Sequence, residues 1–334
     1  MAEINIFLSY NNIMSLIKVG VLRGGPSSEH EISLKTGKSV LLNLPEKYSG
    51  SDVFINKEGD WHLDRRPSDH ERVFRSVDVI FNALHGSYGE DGKVQQTLEH
   101  FGMPYTGSGV VASALGMNKI LAREEFKKVG LKVPKATSVS ADEGSLKEAE
   151  RVFRTISPPW VVKPISGGSS VGVSVVKSLP ALMSALDVAF DSGQKVFVEE
   201  YIAGKEATCG VIDDFRGEKY YALPVIEIIP PSRFGFFNYD AKYCGETKEI
   251  CPANFDMSIK KEIENMAKKA HSALGCRHYS RTDFIVSPRG GVYILELNTL
   301  PGLTEESLVP KALSAVGASY GDFLDHLIKL ALTK

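Results

Sequence analysis

The chain has 334 residues, 43% hydrophobic and 24% charged, an ordinary globular composition with room for two or three domains. Thirty-nine basic against 41 acidic residues leave a formal net charge of −2 with no block of like charge, which argues against a nucleic-acid or membrane-surface role. Cys209, Cys244, Cys251 and Cys276 form no C-x-x-C pair, so neither a zinc ribbon nor a disulfide framework is indicated, and free thiols in a reducing cytosol are expected.

The opening stretch, MAEINIFLSYNNIMS, has a short apolar part broken by Asn11 and Asn12 and no basic region. It is a poor export signal and too short to span a bilayer. Residues 1–16 are set apart as a leader, with Met14 as an alternative start. LIKVGVL (16–22) reads as a buried strand, followed by RGGPSSEHE and a helix to Leu44, where Ser28 and Glu31 fit a capping box. VDVIFNALHG (77–86) is a second buried strand running into the loop HGSYGEDG. Val94, Leu98 and Phe101 recur at i, i+4, i+7, and Gly102 and Pro104 stop that helix. Strand–loop–helix units of this kind predict a parallel α/β N-terminal domain whose ligands meet the loops after the strands.

Asn118 caps a helix running to about Val129, and SLKEAERVFRTI (145–156) and ALMSALDVAF (181–190) are further helices. WVVK, VSVV and KVFVEEYI read as strands, making the middle of the chain a small α+β domain. EATCGVI, YYALPVIEI, SRTDFIV and VYILELN are strands of the remainder, with a helix at 258–275 whose Ile259, Ile263, Met266, Ala270 and Leu274 form a core stripe.

Chemistry concentrates in a few stretches. VVKPISGGSSVGVSVV (161–176) resembles a phosphate loop, but its lysine precedes the glycines and the loop joins two strands, so it is not a Walker A motif. Backbone N–H groups of such a hairpin can cover phosphates, with Lys163 adding a point charge; a flexible surface hairpin is the alternative on these residues alone. In SRTDFIVSPRGGVYILELN, Arg281 and Asp283 share one strand face, as do Glu296 and Asn298, with SPRGG as the turn between. Two carboxylates and an amide oxygen are hard ligands suited to Mg²⁺ held jointly with phosphates. A merely solvated face is disfavoured because the opposite positions, Thr282, Phe284, Leu295 and Leu297, are mostly apolar. In NTLPGLTEESLVP, Gly302 can offer an N–H to a developing oxyanion, and Thr304 with Ser307 marks either a carboxylate-binding helix start or an ordinary cap.

Seven motifs together carry a family resemblance: GGPSSEHEISL, LHGSYGEDG, YTGSGVVASALGMNK, VVKPISGGSSVGVS, DAKY, RTDF and ELNTLPGLTEESLVP. In this order, from about Ile17 to the C-terminus, the chain resembles the D-alanine–D-alanine ligases of the ATP-grasp superfamily. The resemblance implies an α/β and α+β fold of three domains: an N-terminal parallel α/β (preATP-grasp) domain over 17–108, then central and C-terminal ATP-grasp subdomains over 109–198 and 199–334 that grip ATP between them. It implies that Lys119, Lys163 and Lys242 touch ATP phosphates, and that the loop from Ser166 to Gly172, with Gly168 and Ser170, closes over them. Glu199, Glu200, Tyr201 and Ile202 would line adenine and Glu206 would meet the ribose. Asp283, Glu296 and Asn298 would hold two Mg²⁺ ions, with Mn²⁺ able to replace them.

For the amino acids, the resemblance assigns the first D-alanine's ammonium to Glu29 and its carboxylate to His85, and the second D-alanine's carboxylate to Ser307 and Leu308. Ser169, Tyr243 and Glu29 match a hydrogen-bonded trio, and FGFFNYDAKYCG matches a mobile lid, although on its own it equally reads as a packed hairpin. The implied reaction is phosphorylation of one D-alanine, attack by the amine of the second, and stabilisation of the oxyanion by Arg281 and the Gly302 N–H. A cytoplasmic homodimer acting in peptidoglycan precursor synthesis, without nucleic-acid or membrane partners, completes the expectation. Glu306 departs from the uncharged or His side chain that several family members carry, which leaves tuning of the second subsite open. A ligase taking D-lactate, D-serine or another acceptor, and a non-catalytic nucleotide-binding paralogue, are the competing readings; the presence of Tyr243 speaks against D-lactate as the acceptor, and intact Lys163, Arg281, Asp283, Glu296 and Asn298 speak against the paralogue.

Overall fold

The computed structural model describes residues 16–166, 172–193, 195–231 and 246–333. Residues 1–15 of the leader, Met14 among them, the site candidates Gly168, Ser169, Ser170, Lys242 and Tyr243, and Cys244 lie outside the described residues.

The first elements are β1 (Ile17–Gly24), α1 (His30–Asn43), β2 (Tyr48–Ile55), β3 (Trp61–Leu63), β4 (Arg66–Pro67), α2 (His70–Ser76), β5 (Val79–Asn82) and α3 (Lys93–His100). They build a sheet of order β4-β3-β2-β1-β5, in which β1 is parallel to both β2 and β5. Strands covered on both faces read as apolar runs, which is why the buried stretches of β1 and β5 are legible without alternation. Gly20 allows β1 and β5 to approach closely: a Cβ there would come within 2.9 Å of the Ile80 side chain. Helix α1 buries Ser33, Thr36, Gly37 and Val40. Its Ser33 hydroxyl accepts from the Gly24 N–H and donates to the Ala83 carbonyl, both at 2.8 Å, tying the helix to the ends of β1 and β5.

The capping box at Ser28 does not form. The N-cap is Glu29, no side chain caps the helix, and the Ser27 hydroxyl accepts from the Glu29 N–H in the preceding turn. The pattern S-x-x-E was matched one residue early, because the turn built by Ser27 consumes the residues that would have formed the cap.

Two helices follow, α4 (Val110–Met117) and α5 (Lys119–Lys128). The Asn118 side chain caps α5 by accepting from the Ile120 and Leu121 N–H groups. Helix α4 is short and almost wholly apolar, so periodicity did not reveal it. Next come β6 (Ala136–Ser138), α6 (Ser145–Thr155), β7 (Trp160–Pro164), β8 (Ser174–Val176), α7 (Leu179–Asp191) and β9 (Val196–Glu200). The antiparallel sheet β6-β9-β7-β8 packs Trp160, Val162 and Val198 against Ala149 and Val152 of α6 and Leu182 and Leu186 of α7.

The last part contains β10 (Lys205–Phe215), β11 (Glu218–Ala222), β12 (Ile226–Ile229), β13 (Lys248–Ile250), α8 (Met257–Ala273), β14 (Tyr279–Val286), β15 (Val292–Asn298), α9 (Leu308–Ala315) and α10 (Tyr320–Leu332). Its sheet runs β13-β12-β10-β14-β15, with β11 also on β10. YYALPVIEI is therefore two strands and not one: β11 pairs with the far half of β10 and β12 with the near half. Pro224 falls between them, where a residue without an N–H cannot serve a ladder.

The hairpin β14–β15 holds a second departure. Asp283 faces Glu296 and Arg281 faces Asn298, but Phe284 faces Ile294, so Leu295 is an extra residue on β15. Such a bulge resets the alternation. Val292 and Ile294 point to the core before it, and Leu297 does after it, with all three at most 3% exposed. Leu295 is thus the bulge residue, not a member of the apolar face, and Glu296 and Asn298 reach the same side as Arg281 and Asp283 because of it.

The N-terminal sheet and the C-terminal helices share one core: Val19, Val21 and Phe81 pack with Leu313, Phe323, Leu324 and Leu327. The Tyr48 hydroxyl donates to Asp325 of α10 at 2.6 Å, and Lys47 and Lys329 flank that carboxylate at 2.7 and 2.8 Å. This packing sets the ends of β1 and β5 over the β14–β15 hairpin.

Candidate active site

A cavity of about 780 Å³ lies where α1, the loop after β5, the end of α4, β14–β15 and the segment leading into α9 meet. It gathers Glu29, His85, Lys119, Arg281, Glu296, Asn298, Gly302, Ser307 and Leu308, residues spread over 280 positions of chain.

Glu29 is placed by the start of α1, where its carbonyl accepts from Ser33. Glu29 lines the cavity, and one of its carboxylate oxygens lies 2.9 Å from where a Gly86 Cβ would stand. His85 is 5% exposed. Its Nε2 is 2.8 Å from the Thr36 hydroxyl and its Nδ1 is 3.6 Å from Glu90, so both ring nitrogens are oriented by neighbours. Glu90 also accepts from the Gly86 N–H at 2.9 Å. Burial pushes the Glu90 carboxyl up, His85 pulls it down and Glu29 adds to the rise. Glu90 and Thr36 were not anticipated. Glu90 stood within a motif already singled out, and its acidic charge in a glycine-rich loop was the available signal.

On the hairpin, Arg281 grips Asp283 with two bonds of 2.9 Å, and Thr208 of β10 donates to the same carboxylate at 2.6 Å. Burial alone would lower the Arg281 pKa, but Asp283, Glu296 and Glu90 raise it further, so the guanidinium is a permanent cation here. Lys119 Nζ lies 3.6 Å from Glu296, and Asn298 accepts from the Leu300 N–H at 3.0 Å. Among the described residues no cluster of three or more His, Cys, Asp or Glu forms a closed metal cage. The set Asp283, Glu296 and Asn298 is instead an open group of hard oxygens beside two cations, the donor chemistry of an ion shared with phosphates.

The segment into α9 is fastened to itself. Ser307 is the N-cap, and its hydroxyl accepts from the Thr304 N–H at 3.1 Å and lies 2.8 Å from the Thr304 hydroxyl. Gly302 sits close enough to Ser307 that a Cβ would come within 2.9 Å of its Oγ.

A second cluster lies on the four-stranded sheet. Glu199, 2% exposed, takes Lys163 on one oxygen and Arg123 of α5 on the other, the latter at 3.1 Å. Arg123 also donates to the Pro134 carbonyl. The Glu199 carboxylate is thus fully engaged in holding Lys163. Arg123 is the third residue not anticipated, although it stands four positions after Lys119, on the same helix face. Glu200 accepts from the Lys135 N–H, and Tyr201 and Ile202 continue half-buried beyond β9. Glu206 lies on β10 opposite Ile285. Lys119 links the clusters, since its N–H donates to the Ile165 carbonyl at 3.0 Å and Asn118 bridges Ser166.

Comparison with known proteins gives a consistent result. The family description "D-ala D-ala ligase N-terminus" matches residues 18–73 and 64–108, and "D-ala D-ala ligase C-terminus" matches residues 110–329. The D-alanine–D-alanine ligase of Syntrophobacter fumaroxidans is 40% identical over 317 residues, covering 95% of this chain and 98% of its own. Among solved structures, the VanG D-Ala:D-Ser ligase of Enterococcus faecalis superposes with a TM-score of 0.82 at 30% identity, over 94% of this chain and 99% of that one. The D-alanine–D-alanine ligase of Bacillus anthracis complexed with ATP gives 0.78 at 31% identity, over 95% and 97%.

Proposed function

This chain belongs to the D-alanine–D-alanine ligase family, and we propose that it joins two D-alanine molecules at the expense of ATP, releasing D-alanyl-D-alanine, ADP and phosphate. The observation that carries the reading is the convergence of Glu29, His85, Arg281, Gly302 and Ser307 on one cavity.

A carboxylate resists attack by an amine, so the first D-alanine must be activated as an acyl phosphate. Glu29 receives its ammonium at the start of α1, and His85, held by Thr36 and Glu90, stands near its carboxylate. Lys119 and Lys163 offset phosphate charge on the ATP side, Lys163 being aimed by Glu199. Lys242, with the loop carrying Gly168 and Ser170, covers the phosphates; Glu199 to Ile202 border the adenine and Glu206 the ribose. Asp283, Glu296 and Asn298 would hold two Mg²⁺ ions, which supply charge neutralisation of the transferring phosphoryl group.

The second D-alanine is placed by its carboxylate at Ser307 and Leu308. When its neutral amine attacks, negative charge builds on the carbonyl oxygen, and the Arg281 guanidinium and Gly302 N–H meet it there. Arg281 does so without reorganising, since Asp283 already fixes its plane. Ser169 and Tyr243 join Glu29 in closing the site against water. The enzyme works as a cytoplasmic homodimer, supplying the dipeptide for peptidoglycan precursors; among the described residues no helix is long and apolar enough to cross a membrane.

The test is to incubate the protein with ATP, Mg²⁺ and D-alanine and identify products by mass spectrometry. D-alanyl-D-alanine with equimolar ADP supports the reading. ATP binding without any dipeptide refutes it.

A further inference from the structure

Two alanines joined in an extended chain span about 7 Å from ammonium to carboxylate. Glu29 stands at the head of α1, and Lys35 follows six residues on, about 9 Å along the helix axis. Both line the cavity, and so does Lys38, one turn beyond Lys35 on the same helix face. Across the cavity runs the segment into α9, where Glu305 and Glu306, both exposed, directly precede Ser307 and Leu308. Two carboxylates beside the seat of the acceptor's own carboxylate repel it. The cation of that helix, Lys311, is held by Glu249 of β13 at 2.6 Å and stands 3.9 Å from Glu306. Of the other cations lining the cavity, Arg281 is locked to Asp283 and Lys119 faces Glu296 at 3.6 Å. Among the described residues, Lys35 and Lys38 make no ion pair.

We propose that Lys35 and Lys38 are the cations that receive the acceptor's carboxylate, so that α1 spans the product: Glu29 binds its amino end, and Lys35 with Lys38 its carboxyl end. The proposal rests on the ligase reading above. The first D-alanine's ammonium at Glu29 fixes one end. The acceptor's amine turns inward toward Arg281 and Gly302, where the oxyanion forms. Its carboxylate then faces outward, between the start of α9 and the second and third turns of α1. The start of α9 orients the carboxylate, and the two lysines supply the positive charge that Glu305 and Glu306 work against. Both lysines are exposed, so each contributes the modest energy of a solvated charge pair. Their effect falls on capture of the acceptor and not on the chemical step.

The test is Lys35→Gln, Lys38→Gln and the double variant, with Glu306→Gln beside them, in steady-state assays of phosphate release fitted with separate KM values for the two D-alanine sites. The acceptor KM rises about threefold in each single lysine variant and about tenfold in the double, while kcat and KM for ATP stay within about twofold. Glu306→Gln moves the same constant the other way, down about twofold, a reversal of sign that a loss of structure does not produce. The variant carrying Lys35→Arg and Lys38→Arg keeps the wild-type value, since the charge remains. Added salt raises the acceptor KM of the wild type more than that of the double glutamine variant. All three side chains are exposed, so the melting temperature stays within about 3 °C. An acceptor KM within twofold of wild type in the double glutamine variant overturns the proposal, as does a Glu306→Gln change in the same direction as the lysine variants. Wild-type protein that releases no phosphate with ATP and D-alanine overturns the ligase reading and this proposal together; an active wild type with unaffected variants overturns the proposal alone.

Discussion

Replacing Glu199 by glutamine keeps the shape of the side chain and removes the charge between Lys163 and Arg123. The consequences differ for the two cations. Lys163 retains some exposure, 16% of its side chain, and can turn toward water. Arg123 is 4% exposed and cannot. Burial already pushes the Arg123 guanidinium down, and Glu199 is the main charge that opposes this, ahead of Glu124 and Glu200. Leaving one partner of a buried pair uncompensated costs about 3–5 kcal/mol, and the escape of Lys163 places this case near 3 kcal/mol. For a cooperative unit of ordinary size that is a drop of roughly 6–12 °C in melting temperature. Lys163 also loses the anchor that aims it at phosphate, so kcat/KM for ATP should fall by more than about tenfold. Thermal unfolding and an ATP titration of turnover read both effects. Adding Arg123→Met to the variant should recover part of the stability by removing the stranded cation, without recovering the ATP effect. A Glu199→Gln protein that melts within 2 °C of wild type with an unchanged KM for ATP would refute the argument.

Two further outcomes are expected. Arg281→Lys keeps a positive charge but not the paired 2.9 Å bonds to Asp283, so kcat should fall by about a hundredfold with little change in ATP binding, read by steady-state kinetics. Asp325 is raised by burial but lowered more by Lys329, Lys47 and Tyr48, leaving its carboxyl at about 2 from an ordinary 3.8. A folded-state pKa below the unfolded one gives stability that is present above about pH 4 and lost as pH falls toward 2. Asp325→Asn should therefore cost roughly 1 kcal/mol at pH 7, screening by solvent discounting the full shift. In urea titrations the gap from wild type should narrow between pH 4 and 3; a constant gap would contradict the linkage.

What could be read from the residues depended on the range of the interaction. The parallel sheet was legible because the buried stretches of β1 and β5 are covered on both faces and appear as apolar runs, and Asn118 as a cap because its bonds are local. The split of YYALPVIEI is signalled only by Pro224, one proline within a run of strand formers. The Leu295 bulge could not be read from alternation, because it breaks the alternation that strand reading uses. It also matters most, for without it Glu296 and Asn298 would not share a side with Arg281 and Asp283. Thr36 and Arg123 act across elements, on His85 and Glu199, and nothing in local spacing points from one to the other, whereas Glu90 shares the loop of His85. The roles of Glu29 and Ser307 came from motifs in order; the structure adds that their segments meet in one cavity.

The central claim is that both substrates are D-alanine, and it is tested most directly by phosphate release with ATP and Mg²⁺ over a panel of acceptors. Full turnover is expected with D-alanine as the only amino acid. Release that begins only when D-serine, D-lactate or another acceptor is added, or no release at all, would contradict it.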